Sequence, residues 1–204
     1  MRYETGYSPG HEGKAAGVVS SGAKDSGGVS YGAYQSASSK AGGRQVQAFL
    51  KSPEGARWAD RFKGMDPTQP GGAFAQEWKR IAANEPDEFF QAQHEYIKRT
   101  HYDPVVQKVQ HATSLDINQR SRALQNVVWS MSAQHGGAAS LVTRAVQQAG
   151  PQGNLSNAAY DRKLINQLYA GRNTYADERG WPDLKTRYAA EQHDALRELE
   201  GEKP

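Results

Sequence analysis

From residue 44 onward the apolar residues of this chain recur at three- and four-residue spacing, and nearly every run ends at a glycine or a proline. That rhythm is the pattern of amphipathic helices, and it leaves little room for an extended sheet in the larger part of the chain. A short helix is expected in RQVQAFLKS, ended by Pro53. The next, in GGAFAQEWKRIAANEP, places Phe74, Trp78, Ile81 and Ala82 on one stripe and stops before Pro86. A third runs from about Pro86 to His101, with Phe89, Phe90, Gln93, His94 and Ile97 on one face. Pro104 is expected to break it, and a shorter helix follows through Val105, Val109 and Ala112. The strongest pattern is residues 118–135, where Leu124, Val127, Val128 and Met131 fall at i, i+3, i+4 and i+7 and Gly136 and Gly137 supply the stop. Further helices are expected near 137–149 and 157–171. A last, highly charged one runs from Pro182, which suits a first helical turn, to Glu200. There is no internal repeat and no heptad run.

The first 43 residues behave differently. They hold ten of the 21 glycines and read as loops with short strands. Within them GGVSYGAYQ alternates Val29 and Tyr31 with Ser30 and Gly32, which suggests a small β-hairpin; a Gly/Ser tail is the lesser alternative that composition allows. The expected architecture is α+β but predominantly helical: a single domain over residues 1–204, with a loop and hairpin region (1–43) flanking a cleft on a helical body (44–204).

A chain of 204 residues can close a hydrophobic core without covalent staples, and with no cysteine it excludes disulfide frameworks, zinc ribbons and thiol catalysis. The net charge of +3 gives mild attraction to an anionic partner. The basic residues are scattered, the longest runs being KR and RSR, which argues against nucleic acid. No stretch approaches the ~20 apolar residues of a membrane span, and MRYETGYSPG lacks the apolar centre of a secretory signal. Action outside the cytoplasm, in the periplasm or on the cell wall, would need delivery by another system. The six histidines, at 11, 94, 101, 111, 135 and 193, form no H-E-x-x-H pattern. G-x-S-x-G and G-x-x-x-x-G-K-[ST] are also absent, so neither a metal nor a cofactor is expected.

What the opening segment does offer is carboxylates on loose backbone: Glu4, Glu12 and Asp25. A pair of carboxyl groups in unlike surroundings is the apparatus of glycoside hydrolysis. One keeps its proton and gives it to the leaving oxygen; the other stays ionised and activates water or attacks the sugar. Glu4, beside Tyr3 and near a helical body, would be the desolvated member, and Asp25, within AKDSGGVS, the wetter one. Asp-Ser-Gly-Gly is equally ordinary turn composition.

Four separated blocks, YETG, VSSGAKDSGGVSYGAYQ, QHEYIKRTHYDPVVQKV and QRSRALQNVVWSMSAQHG, resemble in the same order the lysozyme-like, chitosanase-related domain found at the C-terminal end of some type VI secretion spike proteins and in some phage endolysins. The similarity runs from about residue 3 to residue 172. It implies a lysozyme-like fold and a peptidoglycan hydrolase of the muramidase type, acting by inversion. Glu4 would be the general acid and Asp25 the general base. Ser30 would help to place the attacking water, although a hairpin hydrogen bond explains it as well. The segment SPGHEGKA reads as an insertion and brings Glu12 as an alternative acid. The implied partners are bacterial peptidoglycan, a secretion or phage particle and an immunity protein. A non-catalytic wall-binding or structural module, and a chitosanase proper, are the alternatives.

Further residues are candidates for substrate contact. Tyr31, Tyr34 and Gln35 follow on the hairpin; their apolar faces and polar tips suit sugar rings. Alternation prevents Tyr31 and Tyr34 from facing the same way, and Tyr31 with Gln35 is the preferred pair. His101, Tyr102 and Asp103 lie at the expected helix break, where they would line a cleft or cap the helix. Gln134 and His135 extend the apolar stripe of the 118–135 helix, as core or cleft-edge residues.

Overall fold

The computed structural model describes residues 11–23, 26–134 and 136–202. Glu4, Asp25 and His135 lie outside the described residues. The chain forms two compact units that part between Arg99 and Thr100, and its secondary structure is predominantly helical.

In the first unit a short helix, α1 (Glu12–Ala16), precedes an antiparallel hairpin of β1 (Ser30–Tyr31) and β2 (Ser36–Ala37). Ser30 lies opposite Ala37 and Tyr31 opposite Ser36. Val19 forms a further antiparallel bridge with Tyr31, and Gly32 N donates to Val18 O at 2.8 Å. Both hairpin faces are covered, so Ser30 and Tyr31 are both buried despite the polar–apolar alternation. The helices α2 (Gln45–Lys51), α3 (Ala56–Ala59, continued by a 3-10 turn at Asp60–Phe62), α4 (Ala73–Asn84) and α5 (Pro86–Ile97) complete the unit.

Trp78, on the stripe expected of α4, is the hub of an aromatic core. The rings of Phe89, Tyr31, Phe49 and Phe62 lie 4.7, 5.3, 5.9 and 6.0 Å from it, and such packing adds to the large apolar area these side chains bury. Its indole Nε1 donates to Ala16 O at 2.8 Å, joining α1 to this core. α1 itself was not foreseen. It approaches α4 and α5 through glycines: a Cβ on Gly13 would stand 2.6 Å from Pro86 Cβ, and one on Gly17 would stand 3.1 Å from Ala82 Cβ.

The second unit holds α6 (Asp103–Thr113), a 3-10 turn (Ile117–Gln119), α7 (Arg122–Gln134), α8 (Ala138–Ala149), α9 (Asn157–Glu178) and α10 (Asp183–Gly201). α9 packs against both α8 and α10, and Leu124, Val128, Met131, Val142, Leu164, Ile165 and Leu168 fill the core. Three boundaries differ from expectation. The chain does not break at Pro104: Lys98–Tyr102 widens into a π-helical turn and α6 starts at Asp103, so proline falls in a first turn, where no N–H is required. α7 begins at Arg122 rather than 118, because Asp116 accepts from Asn118 N at 2.9 Å and closes a separate turn. α9 continues past residue 171 to Glu178, with Ala176 buried.

The start of α7 is closed by carboxylates from a distance. Ser121 N donates to Asp161 Oδ2 at 2.9 Å, Arg122 N to Glu202 Oε2 at 3.0 Å and Ala123 N to Glu202 Oε1 at 2.7 Å. Negative charge at a helix N-terminus satisfies orphan donors and complements the macrodipole. No helix of the described residues is long and apolar enough to cross a membrane.

Candidate functional site

The segment from α1 to the hairpin is held by one buried amide. Gln93 of α5, 5% exposed, accepts from Ala33 N through Oε1 at 3.0 Å and donates to Ala16 O through Nε2 at 3.3 Å. It therefore ties the hairpin loop to the end of α1. Gly32, at φ +77, lies so close that a Cβ there would run into the Gln93 side-chain amide. Replacing Gln93 by Leu is expected to lower stability by about 1–3 kcal/mol, because Ala33 N–H would stay buried without an acceptor. Urea denaturation of the variant beside the parent measures this.

The stretch before the hairpin folds back on it. Ser20 N donates to Ser30 O at 2.9 Å, Ser30 N donates to Ser20 Oγ at 2.8 Å, and a Cβ on Gly22 would be 2.7 Å from Val29 N. Residues 20–22 and 28–30 thus run close together. A groove of about 1000 Å³ opens along α1 and reaches Val18 and Val19, which precede the hairpin. Its walls include Glu12 and Lys14 of α1, Val18 and Val19, Lys79 of α4 and Asp87 of α5. Glu12, the alternative acid, is half-buried at this groove. Its far wall, with Lys79 and Asp87, was not identified from sequence. The readable signal was the pair of glycines at 13 and 17, whose spacing lets α1 sit close against α4 and α5.

Residues 4–192 match the family described as Type VI secretion system spike protein VgrG3-like, C-terminal. The chain belongs to this family. It is 33% identical over 194 residues to the Type VI secretion system spike protein VgrG3 of Vibrio cholerae serotype O1, an alignment covering 92% of this chain and 18% of that relative's length.

In this spike C-terminal family member the hairpin candidates divide. Tyr31 is 1% exposed, and its hydroxyl donates to Pro67 O at 2.7 Å. Burial, and secondarily the charge of Asp66, pushes its hydroxyl pKa up to about 12. It packs the core instead of projecting toward a sugar, because the hairpin is covered on both sides. Tyr34 and Gln35 are half-exposed. Tyr34 Oη lies 2.6 Å from His94 Nδ1, and Gln35, in the left-handed region at φ +50, donates to Gly32 O at 3.0 Å. Ser30 is buried, with its main chain committed to Ser20.

The remaining candidates belong to the second unit. Tyr102 is buried and donates to Asn118 Oδ1 at 3.0 Å, with its ring 5.1 Å from that of Trp129. This is a packing role, and burial pushes its pKa up to about 12. His101 lies half-buried, with Nδ1 2.7 Å from Thr100 Oγ1. Asp103 opens α6. Gln134 Oε1 accepts from Arg172 at 2.7 Å, so its amide belongs to a polar network around a fully buried guanidinium.

His94 and His101 share one electrostatic property. Burial lowers the pKa of each below its ordinary 6.5; for His94, Glu95 opposes the shift and Lys98 adds to it. Both are thus favoured neutral in the folded chain, and the unfolded chain takes up their protons first. Their contribution to stability is complete above 6.5 and is lost as pH falls from there through the lowered folded values. Three paired carboxylates titrate below this window. Glu54 is held at about 2, chiefly by its hydrogen bond from Arg99, and Glu77 and Glu85 are also below their ordinary 4.5. The thermal midpoint is expected to fall between about pH 7 and about pH 5, and the fall to shrink in a His94→Asn, His101→Asn double variant.

Proposed function

We propose that the chain is a peptidoglycan hydrolase of the muramidase type, with a lysozyme-like arrangement, carried to its target as part of a type VI secretion spike. It cleaves β-1,4 bonds between amino sugars with inversion. Glu4 protonates the bridging oxygen and Asp25 activates the water that attacks from the opposite face. Ser30 hydrogen-bonds that water, the groove beside Glu12 receives the glycan, and Tyr34 and Gln35 of the hairpin contribute to substrate binding. The observation that carries this reading is the extent of the family match, which begins at Glu4 and includes Asp25. The fold-back of residues 20–22 onto 28–30 supports it, because tying together the two segments that flank a catalytic group limits where that group can reach, and positioning carries much of the rate.

The experiment is release of soluble fragments from purified peptidoglycan by the full chain and by Glu4→Gln, Glu12→Gln and Asp25→Asn, with chitosan as the competing substrate. Release from peptidoglycan that is lost in Glu4→Gln and Asp25→Asn and kept in Glu12→Gln is the expected pattern. Loss in Glu12→Gln alone moves the acid to the start of α1. A parent that releases nothing from either polymer makes the domain a wall-binding or structural module, and a preference for chitosan makes it a chitosanase.

A further inference from the structure

Leu155 and Trp181 are the exposed large apolar side chains among the described residues, and Trp181 is 45% exposed. It is presented by a rigid helix stop. Trp181 N donates to Ala176 O at 2.9 Å and Gly180 N to Asp177 O at 3.1 Å, the paired bonds of a Schellman motif closing α9. Leu184 N then donates to Trp181 O at 3.2 Å as α10 begins. The indole is thus fixed at its backbone on both sides and half-open to water. Around it the ring of Tyr175 lies 6.2 Å away at 68°. The guanidinium of Arg179 sits 5.0 Å from the Tyr175 ring and 5.9 Å from the Trp181 ring. Among the described residues Arg179 has no ion-pair partner, whereas the neighbouring Asp177 is paired with Lys185 at 2.5 Å.

A Schellman motif commonly places an apolar residue at this position to touch the last turn, and that contact alone would account for a leucine. It does not account for a large aromatic ring with an unpaired guanidinium stacked beside it. The patch is the size of one or two rings and is bordered by exposed charged residues, Asp177, Glu178, Asp183 and Lys185. A protein partner requires a wider apolar area. A sugar ring requires an accessible aromatic ring for its C–H face, which the exposed Trp181 offers with Tyr175 edge-on beside it, and donors at the edge for hydroxyl, acetamido or carboxylate oxygens, which Arg179 offers.

We propose that Tyr175, Arg179 and Trp181 form a second glycan-binding site, in which Trp181 and Tyr175 take an N-acetylated amino-sugar ring and Arg179 takes a carboxylate carried by the polymer. This rests on the wall-polymer reading given above for its choice of ligand. The site retains the domain on the insoluble wall.

The test is co-sedimentation of the full chain with purified peptidoglycan sacculi, in an Asp25→Asn background so that the polymer is not consumed. Trp181→Leu, which keeps the apolar contact of the helix stop, is expected to weaken binding about tenfold, and Trp181→Phe to retain most of it. Thermal midpoints of both should match the parent. Titration with hexa-N-acetylchitohexaose, an uncharged N-acetylated oligomer, separates the two elements. Trp181→Leu should weaken this binding too, while Arg179→Met should weaken binding to sacculi only. Equal sedimentation of parent and Trp181→Leu overturns the proposal, and Trp181 then serves the helix stop alone. If the chain with Asp25 intact hydrolyses peptidoglycan under that outcome, the muramidase reading stands without the platform. If it hydrolyses nothing but Trp181-dependent sedimentation persists, the platform stands and the hydrolase reading fails.

Discussion

Asp25→Asn is expected to reduce peptidoglycan turnover by about 10²–10⁴-fold. The substitution keeps the shape of the side chain and removes the only property a general base needs, an ionised oxygen. Glu4→Gln is expected to cost a similar factor for the opposite reason, since an amide has no proton to lend to the departing sugar. The pH profiles separate the two roles. A base must be ionised, so the rate of the parent rises with pH through its pKa. An acid must be protonated, so the rate falls with pH beyond its own. Residual activity in Asp25→Asn should lose the rising limb and that in Glu4→Gln the falling one. Glu12→Gln should keep both limbs, because a residue that lines the groove without exchanging a proton changes substrate binding and not the shape of the pH profile. A Glu12→Gln variant lacking the falling limb would transfer the acid role to the groove residue.

The largest expected stability effect lies in the second unit. Asp161, 1% exposed, accepts from Arg120 Nε at 2.7 Å and from Ser121 N at 2.9 Å. Arg120 is itself nearly buried and continues to Gln152 Oε1 at 3.2 Å and to Asn157 O at 3.2 Å. One ion pair thus fastens the start of α7 to the start of α9. Asp161→Ala is expected to cost about 3–5 kcal/mol, because it leaves a guanidinium in a poorly hydrated site without its counter-charge and an amide without an acceptor. The double variant Arg120→Met, Asp161→Ala should be less damaging than the single, since the stranded charge is gone. Denaturation of the four proteins as a double-mutant cycle measures the coupling. Equal losses in the single and double variants would show that packing, and not charge, sets the effect.

The helical body was legible because its information is local. Phe74, Trp78 and Ile81, or Leu124, Val128 and Met131, declare a buried face by spacing alone, and the structure buries them. The hairpin was legible in place, from Tyr31 and the glycines around it, but not in its burial. Alternation reports two faces and says nothing of whether both are covered, and so Tyr31 reads as a sugar-facing residue and turns out to be core. Gln134 shows the same limit. A polar residue on an apolar stripe signals an unusual site, but its partner Arg172 lies 38 positions away in the chain. Helix α1 was missed because five residues rich in glycine and alanine carry no periodicity. It exists through the Trp78 and Gln93 hydrogen bonds to Ala16. Pro104 was misread as a break because a wider helical turn before it lets the backbone continue.

The contact between Gly32 and Gln93 has an evolutionary corollary. Any side chain at position 32 must displace the amide at 93, and any shorter residue at 93 strands the main chain at 33. Neither position can drift alone without loss, so related sequences should change at the two together or at neither. Descendants of this chain that vary freely at one while holding the other would show that the loop has found another anchor.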